Sequence, residues 1–215
     1  MSTAYGKIPK PKAGALLSAV LPLSKTLRDG SKAQLIAVDP SVDGLVKHLH
    51  GLFNVEIERG FSYPQEELLS EAQFREYFLG YDAFVLLKDG EGDNWEDRVL
   101  GMYYIKPNYP GRCSHICNAG FVTSEKHRGL GAGVAMAETF MILAPHLGYK
   151  ASVFNLVFAN NVASIRIWEK LGFQRAGIIP KAARLKNSPD KLVDAYIYYY
   201  DFEQAQIPNG NHSQE

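Results

Sequence analysis

The sequence predicts a mixed α/β protein with a single folded domain. Segments typical of strands are interleaved with segments of helical spacing, in the order β-α-α-β-β-β-α-β-α-β-β. The chain of 215 residues is 46% hydrophobic and 21% charged, which is typical of a globular protein. It shows no internal repeat and no linker. We therefore expect a basic N-terminal arm (1–32), one domain (33–203) and a polar tail (204–215).

The N-terminal half is predicted to contain three strands and two helices. Apolar residues from Leu45 to Ile57 recur at helical spacing until Gly60 interrupts them. A polar stretch typical of a hairpin loop joins the last two strands. The predicted elements are a strand at 33–39, helices at 45–57 and 66–79, and strands at 83–87 and 99–105.

The C-terminal half is predicted to contain four strands and two helices. The run ASVFNLVF is almost entirely apolar, which indicates a strand buried on both faces. Gly172 is placed to end the second helix of this half. The predicted elements are a strand at 116–123, a helix at 129–147, a strand at 151–158, a helix at 161–171, and strands at 174–179 and 194–202.

Composition excludes several classes of protein. The formal net charge is zero, which argues against a dedicated nucleic-acid binder and against disorder. The sequence contains no run of 18 apolar residues, so no transmembrane helix is predicted. It has only two cysteines, too few for a disulfide scaffold. We expect a cytoplasmic protein without nucleic-acid or membrane partners. The first 28 residues hold five basic side chains and no acidic one, so a mitochondrial targeting segment is the alternative to a flexible arm.

The neutral average conceals an uneven distribution of charge. Twelve basic and four acidic side chains lie between Lys106 and Lys191, a net charge of +8. Ordinary scatter of surface charge and a site for a small polyanion both fit this pattern.

A glycine-rich turn is the sharpest local motif. The sequence HRGLGAG (127–133) follows a predicted strand and opens a predicted helix. Glycines allow a tight turn, and the free N–H groups of a helix start bind anions. The spacing matches neither the dinucleotide-binding pattern nor the P-loop. A loop without a ligand fits the motif as well.

Two motifs together resemble the GNAT acetyltransferase superfamily. Arg128, Gly131 and Gly133 form its Arg-x-x-Gly-x-Gly pattern, and Asn161 starts a second block that ends in Leu-Gly-Phe at 171–173. The resemblance implies the GNAT acyl-CoA acyltransferase fold, with a mostly antiparallel sheet, splayed central strands and flanking helices. It implies acetyl-CoA as co-substrate, held between strands 116–123 and 151–158, and no metal. The cofactor-binding residues it implies are Phe121, Val122, Thr123, Arg128, Gly129, Leu130, Gly131, Ala132, Gly133 and Asn161.

Three longer blocks narrow the resemblance. KPNYPGRCSHICNAGFV (106–122), FNLVFANN (154–161) and LFNVEIERGFSYPQ (52–65) are similar to fungal acetyltransferases that acetylate proline analogues such as azetidine-2-carboxylate. That group implies Asn118 and Asn155 as the catalytic and substrate-binding residues, and a homodimer as the assembly.

The two asparagines also stand out on physical grounds. Asn155 is the one amide in an apolar strand, and a buried amide without partners costs about 1–3 kcal/mol. Either a substrate satisfies it, or it caps backbone groups where the strands part. Asn118 has the amide that a substrate carboxylate needs, or else it is a turn or bulge residue.

The predicted reaction is direct attack of an amine on acetyl-CoA in a ternary complex. Backbone N–H groups of residues 118–122 are the expected oxyanion donors. Neither central strand contains a carboxylate, so a glutamate base there is not expected. Trp168 occupies the position at which many family members have a tyrosine acid. The tyrosines at 196, 198, 199 and 200 are unranked alternatives.

Other chemistries and functions remain open at this stage. Cys113, His115 and Cys117 lie on one face if extended, but a structural zinc site has four ligands at other spacings. Cys117 as an acyl-carrying nucleophile is a further alternative. The alternatives to a proline-like acceptor are another amine, a polyamine or a protein lysine. The missing tyrosine acid also fits an acyl-CoA-binding regulatory module without turnover.

Overall fold

The computed structural model describes residues 8–11, 16–90 and 92–204. The strands are β1 (Leu23–Thr26), β2 (Lys32–Ala37), β3 (Asp82–Lys88), β4 (Val99–Pro107), β5 (Ile116–Thr123), β6 (Ala151–Phe158), β7 (Gln174–Ala183) and β8 (Val193–Asp201). The helices are α1 (Asp43–Arg59), α2 (Glu71–Phe78), α3 (Trp95–Arg98), α4 (Ala132–His146) and α5 (Val162–Lys170). Short 3₁₀ turns lie at Leu17–Ala19, Gly111–Cys113 and Glu125–His127.

The strands form one sheet in the order β1-β2-β3-β4-β5-β6-β8-β7. Neighbours are antiparallel except β5 and β6, which are parallel. The predicted mixed α/β class and mostly antiparallel sheet are therefore confirmed. Within the described residues, no helix has the length and apolar character needed to cross a bilayer.

Helices cover both faces of the sheet, with a separate core under each layer. The apolar faces of α1 and α2 pack on one side, around Phe53, Phe74 and Phe78. Helices α4 and α5 pack on the other side, around Phe140 and Trp168. The strands that run through the middle, β4 above all, are therefore buried on both faces.

Several predicted boundaries were wrong for local reasons. The helix predicted at 66–79 begins at Glu71, because Ser70 forms a capping box in which Gln73 N–H donates to Ser70 Oγ and Ser70 N–H donates to Gln73 Oε1. The sequence analysis missed β1 and the one-turn α3 between β3 and β4. Gly60 and Gly172 end their helices as predicted, with φ of +63° and +86°.

The sheet begins inside the stretch assigned to the N-terminal arm. Strand β1 pairs with β2 from Leu23 opposite Leu35 to Thr26 opposite Lys32, and Leu27 is buried in the core. The folded region therefore starts before residue 33. Residues 1–7 and 12–15 of the predicted arm, Glu91, and residues 205–215 of the predicted tail lie outside the described residues.

Candidate functional site

A cleft opens where β5 and β6 separate. Only Ile116 with Ala151 and Cys117 with Ser152 are paired between these parallel strands. Beyond them the strands diverge around a cavity of about 740 Å³. The start of α4, the start of α5 and the loop after α1 complete its walls.

All but one of the predicted site residues line this cleft. Asn118, Asn155, Asn161, Phe121–Thr123 and the glycine turn meet there although they come from four elements of the chain. Leu130 is the exception, because its side chain packs against the core.

The hydrogen-bond alternation of β4 and β5 decides which backbone groups face the cleft. The N–H of Asn108 donates to the carbonyl of Ile116 at 2.8 Å, at one end of the ladder. Because bonded pairs alternate along an antiparallel ladder, even-numbered residues of β5, such as Val122, direct their backbone groups to β4. Phe121 and Thr123 direct theirs to the cleft. Of the oxyanion donors predicted within 118–122, only the N–H groups of the odd-numbered residues 119 and 121 therefore point toward the cleft.

The side chain of Asn118 already binds one of these two N–H groups. Its Oδ1 accepts a hydrogen bond from the N–H of Ala119 at 2.8 Å. The N–H of Phe121 is therefore the donor within 118–122 that still faces the cleft, since β5 and β6 are no longer paired there. No described residue accepts a hydrogen bond from the amide NH₂ of Asn118, so this group is available to a ligand.

Asn155 is held by a second amide that the sequence analysis missed. Its Nδ2 donates to Oδ1 of Asn108 at 2.7 Å, and Nδ2 of Asn108 donates back at 3.0 Å. The pair joins the end of β4 to β6 where the ladder of β6 and β8 shifts register between Phe154 and Val157. Asn155 is only partly buried, and its amide is bound by a side chain and not by the backbone groups that a cap would bind.

One carboxylate reaches the cleft from α1. Glu56 is the only acidic side chain among the described residues that line it. It accepts hydrogen bonds from Ser62 Oγ and from Nη1 of Arg59, the latter at 3.0 Å. Arg59 also pairs with Glu125 at 2.7 Å, and Glu125 pairs with Arg128 at 2.7 Å. A chain of charges therefore connects the end of α1 to the glycine turn.

Three tyrosines form the wall next to Glu56. Tyr63 donates from its hydroxyl to the carbonyl of Phe121 at 3.3 Å, and the hydroxyls of Tyr77 and Tyr104 are 3.1 Å apart. Gly120 admits this packing, because a Cβ there would lie 2.6 Å from the ring of Tyr104. Burial raises the pKa of Tyr63 and Tyr104 well above its usual range, so both keep their protons.

The glycine turn presents unpaired N–H groups to the other end of the cleft. Gly129 and Gly131 have φ of +84° and +86°, and α4 starts after Gly131 without a side-chain cap. No described residue accepts a hydrogen bond from the backbone N–H groups of residues 129–134. Free N–H groups and the positive helix end suit phosphate oxygens. The turn therefore fits the diphosphate of a nucleotide cofactor.

Arg28 lies against this turn from the region assigned to the arm. Its backbone N–H donates to the carbonyl of Leu130 at 3.0 Å, and its Cγ and Nε lie 3.2 and 3.4 Å from where a Cβ of Gly131 would be. Arg28 lines the cleft and has no carboxylate partner among the described residues, whereas Arg128 is tied to Glu125.

Comparison with protein families identifies the chain. Residues 50–173 match the model of the acetyltransferase (GNAT) family. The chain belongs to this family. It is 43% identical over 186 residues to N-acetyltransferase aca1 of Schizosaccharomyces pombe, covering 79% of this chain and 88% of the relative. It is 29% identical over 235 residues to protein SPT10 of Saccharomyces cerevisiae, covering 87% of this chain but 37% of that longer protein.

Solved structures agree with the family in fold. A GCN5-related N-acetyltransferase from Kribbella flavida superposes with a TM-score of 0.68 at 23% identity, covering 79% of this chain and 97% of that one. A GNAT phosphinothricin acetyltransferase from Sinorhizobium meliloti, solved with acetyl-CoA, superposes with a TM-score of 0.67 at 16% identity, covering 84% and 94%. The chain is an acetyl-CoA-dependent acetyltransferase with the predicted GNAT fold.

The general acid of this acetyltransferase does not come from position 168. The buried Trp168 donates from Nε1 to Ser164 Oγ at 2.9 Å and packs 4.4 Å, between ring centroids, from Phe154. None of the tyrosines at 196, 198, 199 and 200 lines the cleft among the described residues. Tyr198 instead donates to Glu169 at 2.9 Å. Asn161 serves locally as the N-cap of α5, accepting from the N–H of Ser164 at 3.2 Å.

The cysteine motif does not form a site. Gly111–Cys113 is a 3₁₀ turn, so Cys113 and Cys117 do not share an extended face as the spacing suggested. Cys117 is fully buried, and burial raises the pKa of its thiol to about 12, which does not suit a nucleophile. Within the described residues, no group of three His, Cys, Asp or Glu side chains could hold a metal ion.

Most of the basic side chains in the basic segment, residues 106–191 with a net charge of +8, lie outside the cleft. Of its twelve cations, only Arg128 lines the cleft. Arg28 and Arg59, which also line it, lie outside the segment. Of the two interpretations of the charge between Lys106 and Lys191, scatter of surface charge therefore fits better than a site for a small polyanion.

The substitution Arg28→Met is expected to weaken acetyl-CoA binding about 10- to 100-fold. A charge-assisted hydrogen bond to phosphate contributes roughly 1.5–3 kcal/mol, and Met keeps most of the aliphatic stem. Calorimetric titration with acetyl-CoA measures the change. Arg166→Met is the matched control, because it removes a cation of α5 outside the cleft. Equal affinities of the two variants would show that Arg28 does not contact the phosphates.

Proposed function

We propose that this acetyltransferase transfers the acetyl group of acetyl-CoA to the amine of a small, proline-like amino acid such as azetidine-2-carboxylate. The observation that carries the proposal is the meeting of Asn118 and Asn155 in one cleft, at the point where β5 and β6 separate. The sequence blocks that contain both amides resemble the fungal acetyltransferases of proline analogues. The 43% identity to an N-acetyltransferase of fission yeast supports an amine acceptor.

The two ends of the cleft suit two different ligands. The glycine turn and Arg28 offer N–H groups and a positive charge, which suit the phosphates of acetyl-CoA. The opposite end is walled by Tyr63, Tyr77 and Tyr104 beside Asn118, which suits a small ring with polar groups. A homodimer and a cytoplasmic or mitochondrial location stay predictions from the sequence.

The proposed reaction requires a proton acceptor, because the amine of an amino acid is protonated near neutral pH. Glu56 is placed to receive that proton, directly or through the hydroxyl of Ser62, which is hydrogen-bonded to it. The neutral amine then attacks the acetyl carbonyl in the ternary complex. The N–H of Phe121 stabilises the negative charge that develops on the carbonyl oxygen. As the new C–N bond forms, the C–S bond breaks and CoA leaves as a thiolate, which takes up the remaining proton of the attacking nitrogen, so no acid is needed at position 168.

The acceptor is tested with purified protein, acetyl-CoA and a panel of amines. Azetidine-2-carboxylate is expected to give the highest kcat/KM, against a polyamine and a lysine-containing peptide. Release of CoA thiol measures the rate, and mass spectrometry of the product identifies the acetylated amine. A faster reaction with the polyamine or the peptide would overturn the proposed acceptor. Binding of acetyl-CoA without any acetylated product would indicate a regulatory module.

The substitution Asn155→Ala is expected to lower kcat/KM for the amino acid at least about 100-fold, while acetyl-CoA binding and the melting temperature stay near those of the wild type. The reason is that the amide contacts the acceptor and not the cofactor. Asn108→Ala is the matched variant, since it keeps Asn155 and removes only its partner. It should give a smaller loss of activity. Equal losses of activity, cofactor affinity and stability in Asn155→Ala would assign the amide a structural role.

The substitution Glu56→Gln is expected to lower kcat about 10²- to 10⁴-fold near neutral pH, the usual contribution of a general base. The loss should shrink as pH rises, because hydroxide then deprotonates the amine without the enzyme. A pH–rate profile of the variant checks this. Glu58→Gln, an exposed acid on the same helix, is the control. A loss that is constant over the whole pH range would contradict the role of Glu56 as proton acceptor.

A further inference from the structure

Lys106 is a partly buried cation that has no anionic partner within residues 8–11, 16–90 and 92–204. Its Nζ lies over the rings of Tyr77 and Tyr104, 4.5 and 4.6 Å from their centroids. No carboxylate of the described residues pairs with it, although nine other lysines and arginines of the described residues form ion pairs. In the part of the chain that the structure describes, its positive charge is compensated by these two aromatic faces.

Lys106 stands beside the acceptor end of the cleft. It lies directly opposite Asn118 in the β4–β5 register, so the two side chains are cross-strand neighbours on one face. Tyr104 is two residues earlier on the same face, opposite Gly120. Asn118, Tyr77 and Tyr104 all line the cleft. Lys106 borders it, and its flexible four-carbon stem allows Nζ to move from the rings to a ligand beside Asn118.

The environment of Lys106 favours an anion that the protein does not supply. Burial lowers the pKa of the ammonium to about 8, which reflects the loss of hydration without a compensating carboxylate. Cation–π contacts of this kind offset only part of such a cost. A carboxylate bound here would form a charge-assisted hydrogen bond in a partly desolvated place, where it is strong.

We propose that Lys106 binds the carboxylate of the amino-acid acceptor, together with the amide NH₂ of Asn118. This inference rests on the proposed function and adds a requirement to it. The acceptor must carry a carboxylate close to its amine. Polyamines and the side chain of a lysine within a protein lack that group, so Lys106 discriminates against them. Asn118 alone offers only a neutral hydrogen bond and cannot give the same selectivity.

The test compares two acceptors that differ only in the carboxylate, azetidine-2-carboxylate and azetidine. The substitution Lys106→Met keeps the apolar stem and removes the charge. It is expected to lower kcat/KM for azetidine-2-carboxylate about 10- to 100-fold, as expected for the loss of a hydrogen bond to a charged group, and to leave kcat/KM for azetidine unchanged. Lys106→Arg should restore a large part of the activity toward azetidine-2-carboxylate.

The controls separate this inference from the proposed function. Lys150→Met removes an exposed lysine that is paired with Glu203 and should change neither acceptor. Acetyl-CoA affinity of Lys106→Met should equal that of the wild type. Equal losses for both acceptors in Lys106→Met would overturn the role of Lys106 while the wild-type activity keeps the proposed function intact. Failure of the wild type to acetylate azetidine-2-carboxylate would overturn both.

Discussion

The separation of β5 from β6 is the constraint on which the site depends. Parallel neighbours in a sheet normally share hydrogen bonds along their length, but here the ladder stops after two residue pairs. The backbone groups of Phe121 and Thr123 are left facing a cavity instead of a strand. Backbone N–H and C=O groups need hydrogen-bond partners, and those of Phe121 and Thr123 must find them in side chains, ligands or water instead of a neighbouring strand. The hydroxyl of Tyr63 supplies one of them at the carbonyl of Phe121.

The aromatic packing beneath the cleft keeps the separated strands in place. Phe121 of β5 and Phe154 of β6 both pack against Trp168, with centroids 5.1 and 4.4 Å apart. Phe140 of α4 contacts all three rings. The replacement of a tyrosine acid by Trp168 therefore has a structural consequence, because a large apolar ring fills the space between strands that no longer bond to each other.

Local features of the site could be predicted from the sequence, and distant contacts could not. The glycine turn before α4 and the start of α5 at Asn161 depend on neighbours within a few positions, so sequence motifs located both turns. Arg28 meets Leu130 and Asn108 meets Asn155 across long stretches of chain, and no periodicity encodes such pairs. Glu56 was not predicted as a site residue, although it lies in the recognised block 52–65. A base was considered only in the two central strands, and Glu56 lies on the helix α1. Strand β1 was missed because four residues with a half-exposed pattern give a weak periodic signal.

The reciprocal pair of Asn108 and Asn155 also bears on how this enzyme can change over evolution. Each amide supplies a donor and an acceptor to the other, so replacing one removes both of these hydrogen bonds and leaves the amide of its partner free to turn away from the cleft. A substitution at one of the two positions favours a compensating substitution at the other. The two positions are therefore expected to vary together among relatives.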